Sequence, residues 1–133
     1  MKKQSAFSGA WGENYAAVCL EKKGYQILQR NYHSRWGEID LIAQRDGFLC
    51  FVEVKTRQED PLVSGTEAVT AAKRRRLIRT ALCYLAENPA NLQPRFDLFE
   101  ICVRPADSPG EWTAVSHWHL ENAFEAEGEY ALF

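Results

Sequence analysis

Asp40, Glu53 and Lys55 are two acids and an amine set on either side of an Asp46-Gly47 pair. The runs flanking that pair, Gly37–Gln44 and Phe48–Thr56, are rich in β-formers. An Asp-Gly dipeptide between two such runs is a strong hairpin signal. With Asp46 and Gly47 as the turn residues, Arg45 faces Phe48, Asp40 faces Glu53, and Glu38 faces Lys55. Residues two apart on a strand share a face, so the expectation is four charged side chains on one side of the hairpin. Facing carboxylates repel, and partial burial makes the repulsion worse. A divalent cation resolves it, since Mg²⁺ is commonly held by one or two carboxylates together with phosphate oxygens. Lys55, one pleat away, is placed to orient or deprotonate a water. The competing reading is a solvated strand face. Against it, Ile39, Leu41, Ala43, Val52 and Val54 are expected to fill the opposite face, and Ile42 and Phe51 lie on the charged face itself.

The elements that must position these residues follow from periodicity. Residues 10–24 read as a helix whose apolar stripe is Trp11, Tyr15, Val18 and Cys19, with Ser8 as cap and Gly24 as stop. Tyr25–Tyr32 reads as a first strand, ahead of the two hairpin strands. Residues 57–65 read as a loop. Ser64 and Glu67 fit a capping box, opening a helix that runs to about Glu87 and stops at Asn88-Pro89. Arg95–Val103 is apolar on both faces, which predicts a central strand. Trp112–Val115 reads as a short last strand, followed by a weakly helical tail. The predicted order is α-β-β-β-α-β-(β), a mixed β-sheet with flanking helices in an α/β class.

Composition narrows the field. A chain of 133 residues, 46% hydrophobic and 26% charged, is expected to fold as one domain spanning residues 1–133. No apolar run is long enough to span a bilayer, and the N-terminus lacks the apolar core of a signal peptide, so no membrane and a cytoplasmic setting are expected. Cys19, Cys50, Cys83 and Cys102 form no Cys-x-x-Cys pair and read as reduced core thiols. Residues 1–79 hold 14 of the 16 basic and 9 of the 18 acidic residues, a net of +5; residues 80–133 hold the other 2 and 9, a net of −7. The basic part suggests an anionic partner, and the residues from about 120 read as a solvated acidic tail.

The densest positive run is Lys73-Arg74-Arg75-Arg76, followed by Arg79. On a helix whose apolar face is Leu77, Ile78, Ala81, Tyr84 and Leu85, Arg75, Arg76 and Arg79 point away, open to phosphate contact or to solvent. Arg74 projects into the apolar stripe and needs a carboxylate or a route to water. Lys73 lies at the stripe's edge, where it could face substrate. Arg30, His33, Arg35 and Trp36 lie on the approach to the charged strand. Glu13 is off its helix's apolar stripe, which favours a solvated glutamate. His117 and His119 lack a third ligand nearby and read as surface or capping residues. No nucleophile-elbow or Cys–His pattern supports covalent catalysis.

Asp40 with Glu53-Val54-Lys55 resembles the Asp…(Asp/Glu)-x-Lys signature of the restriction-endonuclease-like nucleases. A longer set of motifs resembles the YraN-type family of bacterial proteins, over about residues 9 to 125. These are Gly12-Glu13 with Ala16-Ala17, Arg30-Asn31-Tyr32, Gly37–Ile42, Phe51–Arg57, Glu67-Ala68-Val69, Lys73 and Arg95-Phe96-Asp97. The resemblance implies a single-domain restriction-endonuclease-like fold, similar to that of Holliday-junction resolvases, and a metal-dependent endonuclease. Carried over by position, it implies Asp40 and Glu53 as ligands of Mg²⁺ or Mn²⁺, Lys55 as the catalytic lysine, and Glu13 as a first-helix carboxylate leaning toward the site; Glu38, on the hairpin's charged face, is a further outer catalytic candidate. Lys73, Arg74, Arg57, Arg35 and Arg30 would contact nucleic acid, with DNA the expected form, and resolvase-like enzymes often work as homodimers. The superfamily's frequent Pro before the Asp is Ile39 here. The alternatives are a nucleic-acid-binding module of the same fold without turnover, and a protein-interaction module.

Overall fold

The computed structural model describes residues 9–59 and 69–126. The proposed Ser8 cap, the Ser64–Glu67 capping box and the tail beyond residue 126 lie outside the described residues. The order is α1 (Gly9–Lys22), β1 (Gln26–Ser34), β2 (Gly37–Arg45), β3 (Phe48–Gln58), α2 (Ala71–Glu87), β4 (Gln93–Pro105) and β5 (Trp112–Phe124). This is the predicted mixed α/β arrangement. The five strands form one sheet in the order β1-β2-β3-β4-β5. All neighbours are antiparallel except β3 and β4, which run parallel. A parallel pair needs a crossover, and α2 lies in it.

The helices cover opposite faces of the sheet. Ala16, Ala17 and Leu20 of α1 pack with Leu41, Ala43, Cys50, Val52, Phe99 and Ile101. Leu77, Ile78, Ala81 and Tyr84 of α2 pack with Ile42, Leu49, Phe51 and Phe96. β4, between β3 and β5, is buried along most of its length, as a strand apolar on both sides should be.

Several expectations are corrected. The buried side of α1 is Gly12, Ala16, Ala17 and Leu20, not the aromatic stripe; Trp11 and Tyr15 lie at the margin, and Val18 is exposed. Small residues win the inner face because α1 sits very close to β3: a Cβ on Gly12 would meet Thr56 Oγ1 at 2.5 Å. Gly24, with φ of 95°, does end α1. α2 begins later than expected, capped by Thr70, whose side chain accepts from the Lys73 N–H. β3 continues through Arg57 and Gln58, where a loop was expected. The weakly helical tail is strand: β5 reaches Phe124 because β4 offers a continuous antiparallel edge, with two register shifts along it. Most β5 side chains are exposed, so its sequence carries little alternation.

Ile39 also departs from expectation. It packs on the α2 side with Tyr32 and Ile42, whereas Leu41 packs on the α1 side. Side-chain alternation thus reverses across Asp40. The facing segment of β1 contains Asn31, whose φ of 52° is left-handed.

Candidate active site

The hairpin register holds from Arg45↔Phe48 to Leu41↔Val52 and ends there. Asp40 and Glu53 are the next residues outward. At that point Asp40 Oδ2 accepts the Val54 backbone N–H at 2.8 Å. A side chain thus takes a donor that a continuing ladder would have used, and the strands part around two acids. The expected pairing of Glu38 with Lys55 does not form. Glu38 instead meets His33 Nε2 at 2.9 Å, and Lys55 lies beside Glu100 in the parallel register with β4.

The two carboxyl groups remain neighbours, both lining one cleft and close enough for the charge on Glu53 to act on Asp40. Burial, and then the Glu53 charge, push the Asp40 carboxyl up to about 8, with the Val54 N–H opposing and the Glu13 charge on α1 adding to the rise. Glu53 carries a cation of its own: Lys73 Nζ, from the first turn of α2, lies 2.6 Å from Glu53 Oε2. The Glu53 side chain is 14% exposed and that of Lys73 is 43% exposed.

A cleft of about 340 Å³ opens here, lined by Glu38, Asp40, Glu53, Lys73 and Arg76. An adjoining hollow of about 260 Å³ is lined by Glu53, Lys55, Thr70 and Lys73. Glu53 and Lys73 border both, and Lys55 opens onto the second. Fold and charge therefore bring together Asp40, Glu53 and Lys73, with Glu38 at the rim, Lys55 alongside and Glu13 acting through its charge.

The other sequence candidates lie elsewhere or are engaged. Arg30 donates to Asn14 Oδ1 of α1. Arg57 is drawn inward to Glu100, at 3.4 Å. Arg74 donates to the Val69 carbonyl at 3.0 Å, a backbone partner where a carboxylate or solvent was expected. Arg35 and Arg79 both lie against the Trp36 ring, at 4.7 and 4.6 Å from its centroid.

The cleft also contains Arg76, whose role the helical pattern left open. Sequence reasoning passed over Glu100, a fully buried acid between Lys55 and Arg57, although a charge inside the apolar β4 run was a visible signal. It also missed a second polar centre. Arg95 holds Asp97 with Nε and Nη2, at 2.9 and 2.8 Å. His119 Nε2 reaches Asp97 at 2.7 Å, and Lys23 Nζ reaches His119 Nδ1 at 2.6 Å. An ammonium only donates, so Nδ1 accepts and Nε2 carries the proton shared with Asp97. Burial favours the neutral Asp97, but bonds from His119, Arg95 and the Asn122 N–H overcome it and hold this acid below its usual range. His119 is therefore an internal strut, not a surface residue. Glu121, expected in a solvated tail, accepts from Tyr25 Oη at 2.6 Å.

As a cation site, the first centre supplies two carboxylates, and among the described residues no group of three or more His, Cys, Asp and Glu is arranged as metal ligands. Two carboxylates fit a hard divalent ion that completes its shell with water or phosphate. They do not fit zinc, which takes three or four protein ligands.

The family model for Uncharacterised protein family UPF0102 matches residues 12–101. The chain belongs to the UPF0102 family. It is 45% identical over 117 residues to a UPF0102 protein of Syntrophomonas wolfei, covering 87% of this chain and 96% of the relative. A UPF0102 protein of Symbiobacterium thermophilum is 46% identical over 119 residues, covering 89% and 96%. One of Chlorobium chlorochromatii is 42% identical over 119 residues, covering 90% and 92%. The matched UPF0102 span contains Asp40, Glu53, Lys55, Lys73 and Asp97, and ends within β4. No helix among the described residues is long and apolar enough to cross a membrane.

Proposed function

We propose that this UPF0102 protein is a metal-dependent phosphodiesterase acting on nucleic acid, a restriction-endonuclease-like nuclease. One observation carries the reading: two strands part so that Asp40 and Glu53 face each other in a cleft also lined by Lys73 and Arg76. Asp40, through the oxygen not committed to Val54, and Glu53 would hold Mg²⁺ or Mn²⁺. When bound, such an ion polarises the scissile phosphate and lowers the pKa of a coordinated water. Lys55 orients the attacking water from the adjoining hollow. Arg76 and Lys73 hold phosphate oxygens and offset charge developing on the phosphoryl group. Glu38 and Glu13 set the local field from the rim and from α1.

The test is a cleavage assay with Mn²⁺ on linear, single-stranded and branched DNA, comparing wild type with Asp40→Asn and Lys55→Ala. Wild type should cleave at least one substrate, and each variant should lose about 100-fold or more. No cleavage by wild type in Mn²⁺ or Mg²⁺, or full cleavage by Asp40→Asn, would overturn the reading. DNA binding without turnover would leave a binding module of the same fold.

A further inference from the structure

The Lys73–Glu53 pair points to a cation exchange at the site, an inference that rests on the metal-dependent reading above. The Lys73 ammonium sits 2.6 Å from Glu53 Oε2, on a carboxylate that is 14% exposed and borders both hollows. A divalent ion shared by Asp40 and Glu53 needs that same carboxylate. Glu53 Oε1 is left for the ion, but an ammonium on one oxygen and a divalent ion on the other lie within a few ångström of each other and repel strongly in a half-buried cleft. We infer that Lys73 is the internal counter-ion of the metal-free protein, and that it must leave Glu53 for a divalent cation to enter.

The geometry allows the exchange. Lys73 lies in the first turn of α2, its side chain is 43% exposed, and its stem is long and flexible. Glu53, on a central strand, is the fixed partner. On leaving Glu53, the ammonium stays beside Arg76, which lies three residues along the same helix face and lines the same cleft. The lysine that neutralises the empty site becomes a phosphate ligand in the filled one. Through its hold on Glu53, Lys73 thus sets the metal threshold.

The experiment is calorimetric titration of the full chain with Mn²⁺ alone, for wild type, Lys73→Gln, Arg76→Gln and Asp40→Asn. Lys73→Gln should bind Mn²⁺ roughly fivefold tighter than wild type, the amount a half-exposed ion pair can withhold. Arg76→Gln removes an equal charge from the same cleft without breaking the Glu53 pair, so its gain should be clearly smaller. Asp40→Asn should bind more weakly than wild type. Equal gains from Lys73→Gln and Arg76→Gln would reduce the effect to the general field and overturn the exchange. Unchanged or weaker binding by Lys73→Gln, with wild type saturating, would overturn it while leaving the metal site intact. No saturable binding by wild type or Lys73→Gln would overturn both the exchange and the metal-dependent reading.

Discussion

At the scale of single residues, Asp40 holds the two facts that matter most at the site. It ends the hairpin ladder by taking the Val54 N–H, and its carboxyl is pushed up to about 8 by burial and by Glu53. The second fact fixes a pH dependence. The folded chain keeps a proton on Asp40 that the unfolded chain gives up near its ordinary value of 3.8. Between those two values the folded state binds more protons, so this group's contribution to stability falls as pH rises from about 4 to about 8. Asp40→Asn keeps the acceptor for Val54 and cannot ionise. Without metal, its melting temperature should exceed that of wild type by a few degrees at pH 8, and the difference should close toward pH 5. A lower melting temperature for Asp40→Asn at pH 8 would refute the repelling pair. The facing of Asp40 and Glu53 was legible because the Asp-Gly turn fixes the register of the five pairs from Arg45↔Phe48 to Leu41↔Val52, directly inside these two acids. The loss of the Glu38–Lys55 pair was not, because it depends on one carboxylate capturing one backbone donor.

Elements tell a similar story of local rules overridden by approach distance. The aromatic stripe of α1 has the right spacing for a core face, yet the helix turns Gly12, Ala16 and Ala17 inward. An aromatic face would hold α1 away from β3, whereas the small residues allow the contact at Thr56. The cost of closing that gap is measurable. Gly12→Ala puts a methyl at 2.5 Å from Thr56 Oγ1, on a β-branched side chain with few rotamers to escape into. It should destabilise the protein by about 1–3 kcal/mol, read by denaturant unfolding. Gly12→Ala with Thr56→Ala should recover much of the loss; an additive double variant would mean that the clash lies elsewhere. α2 was easier to read, because its apolar face needs no close approach and survives as Leu77, Ile78, Ala81 and Tyr84. β5 was hardest. Its partners come from β4 and its anchors are Tyr25–Glu121 and Asp97–His119, contacts that join residues far apart in sequence.

Over the whole molecule, the charge split between residues 1–79 and 80–133 takes on a spatial meaning. Asp97, Glu100 and Glu121 of the acidic part are engaged in internal bonds with Arg95, Arg57 and Tyr25. They are not a free negative surface. Along α2, by contrast, Lys73, Arg76 and Arg79 recur every third residue from the cleft toward Trp36, spanning about 9 Å of helix. If the protein acts on nucleic acid, this row meets its backbone. The slope of log binding constant against log salt for duplex DNA should then become shallower by about 2 in Arg76→Gln/Arg79→Gln. An unchanged slope would place the contact on another face. The strand and helix order was legible from turn signals and helical spacing alone. The direction of β4 went unread, although a run apolar on both faces after an intervening helix is what a parallel neighbour leaves in a sequence.

Asp40 and Glu53 flank one local bend at Asp46-Gly47, whereas Lys73 comes from α2, in the crossover between β3 and β4. Short-range contacts bring the acids together, and a longer-range one supplies the cation on Glu53. Loosening α2 from the sheet would therefore strip that cation away while the hairpin still holds the two carboxyl groups side by side.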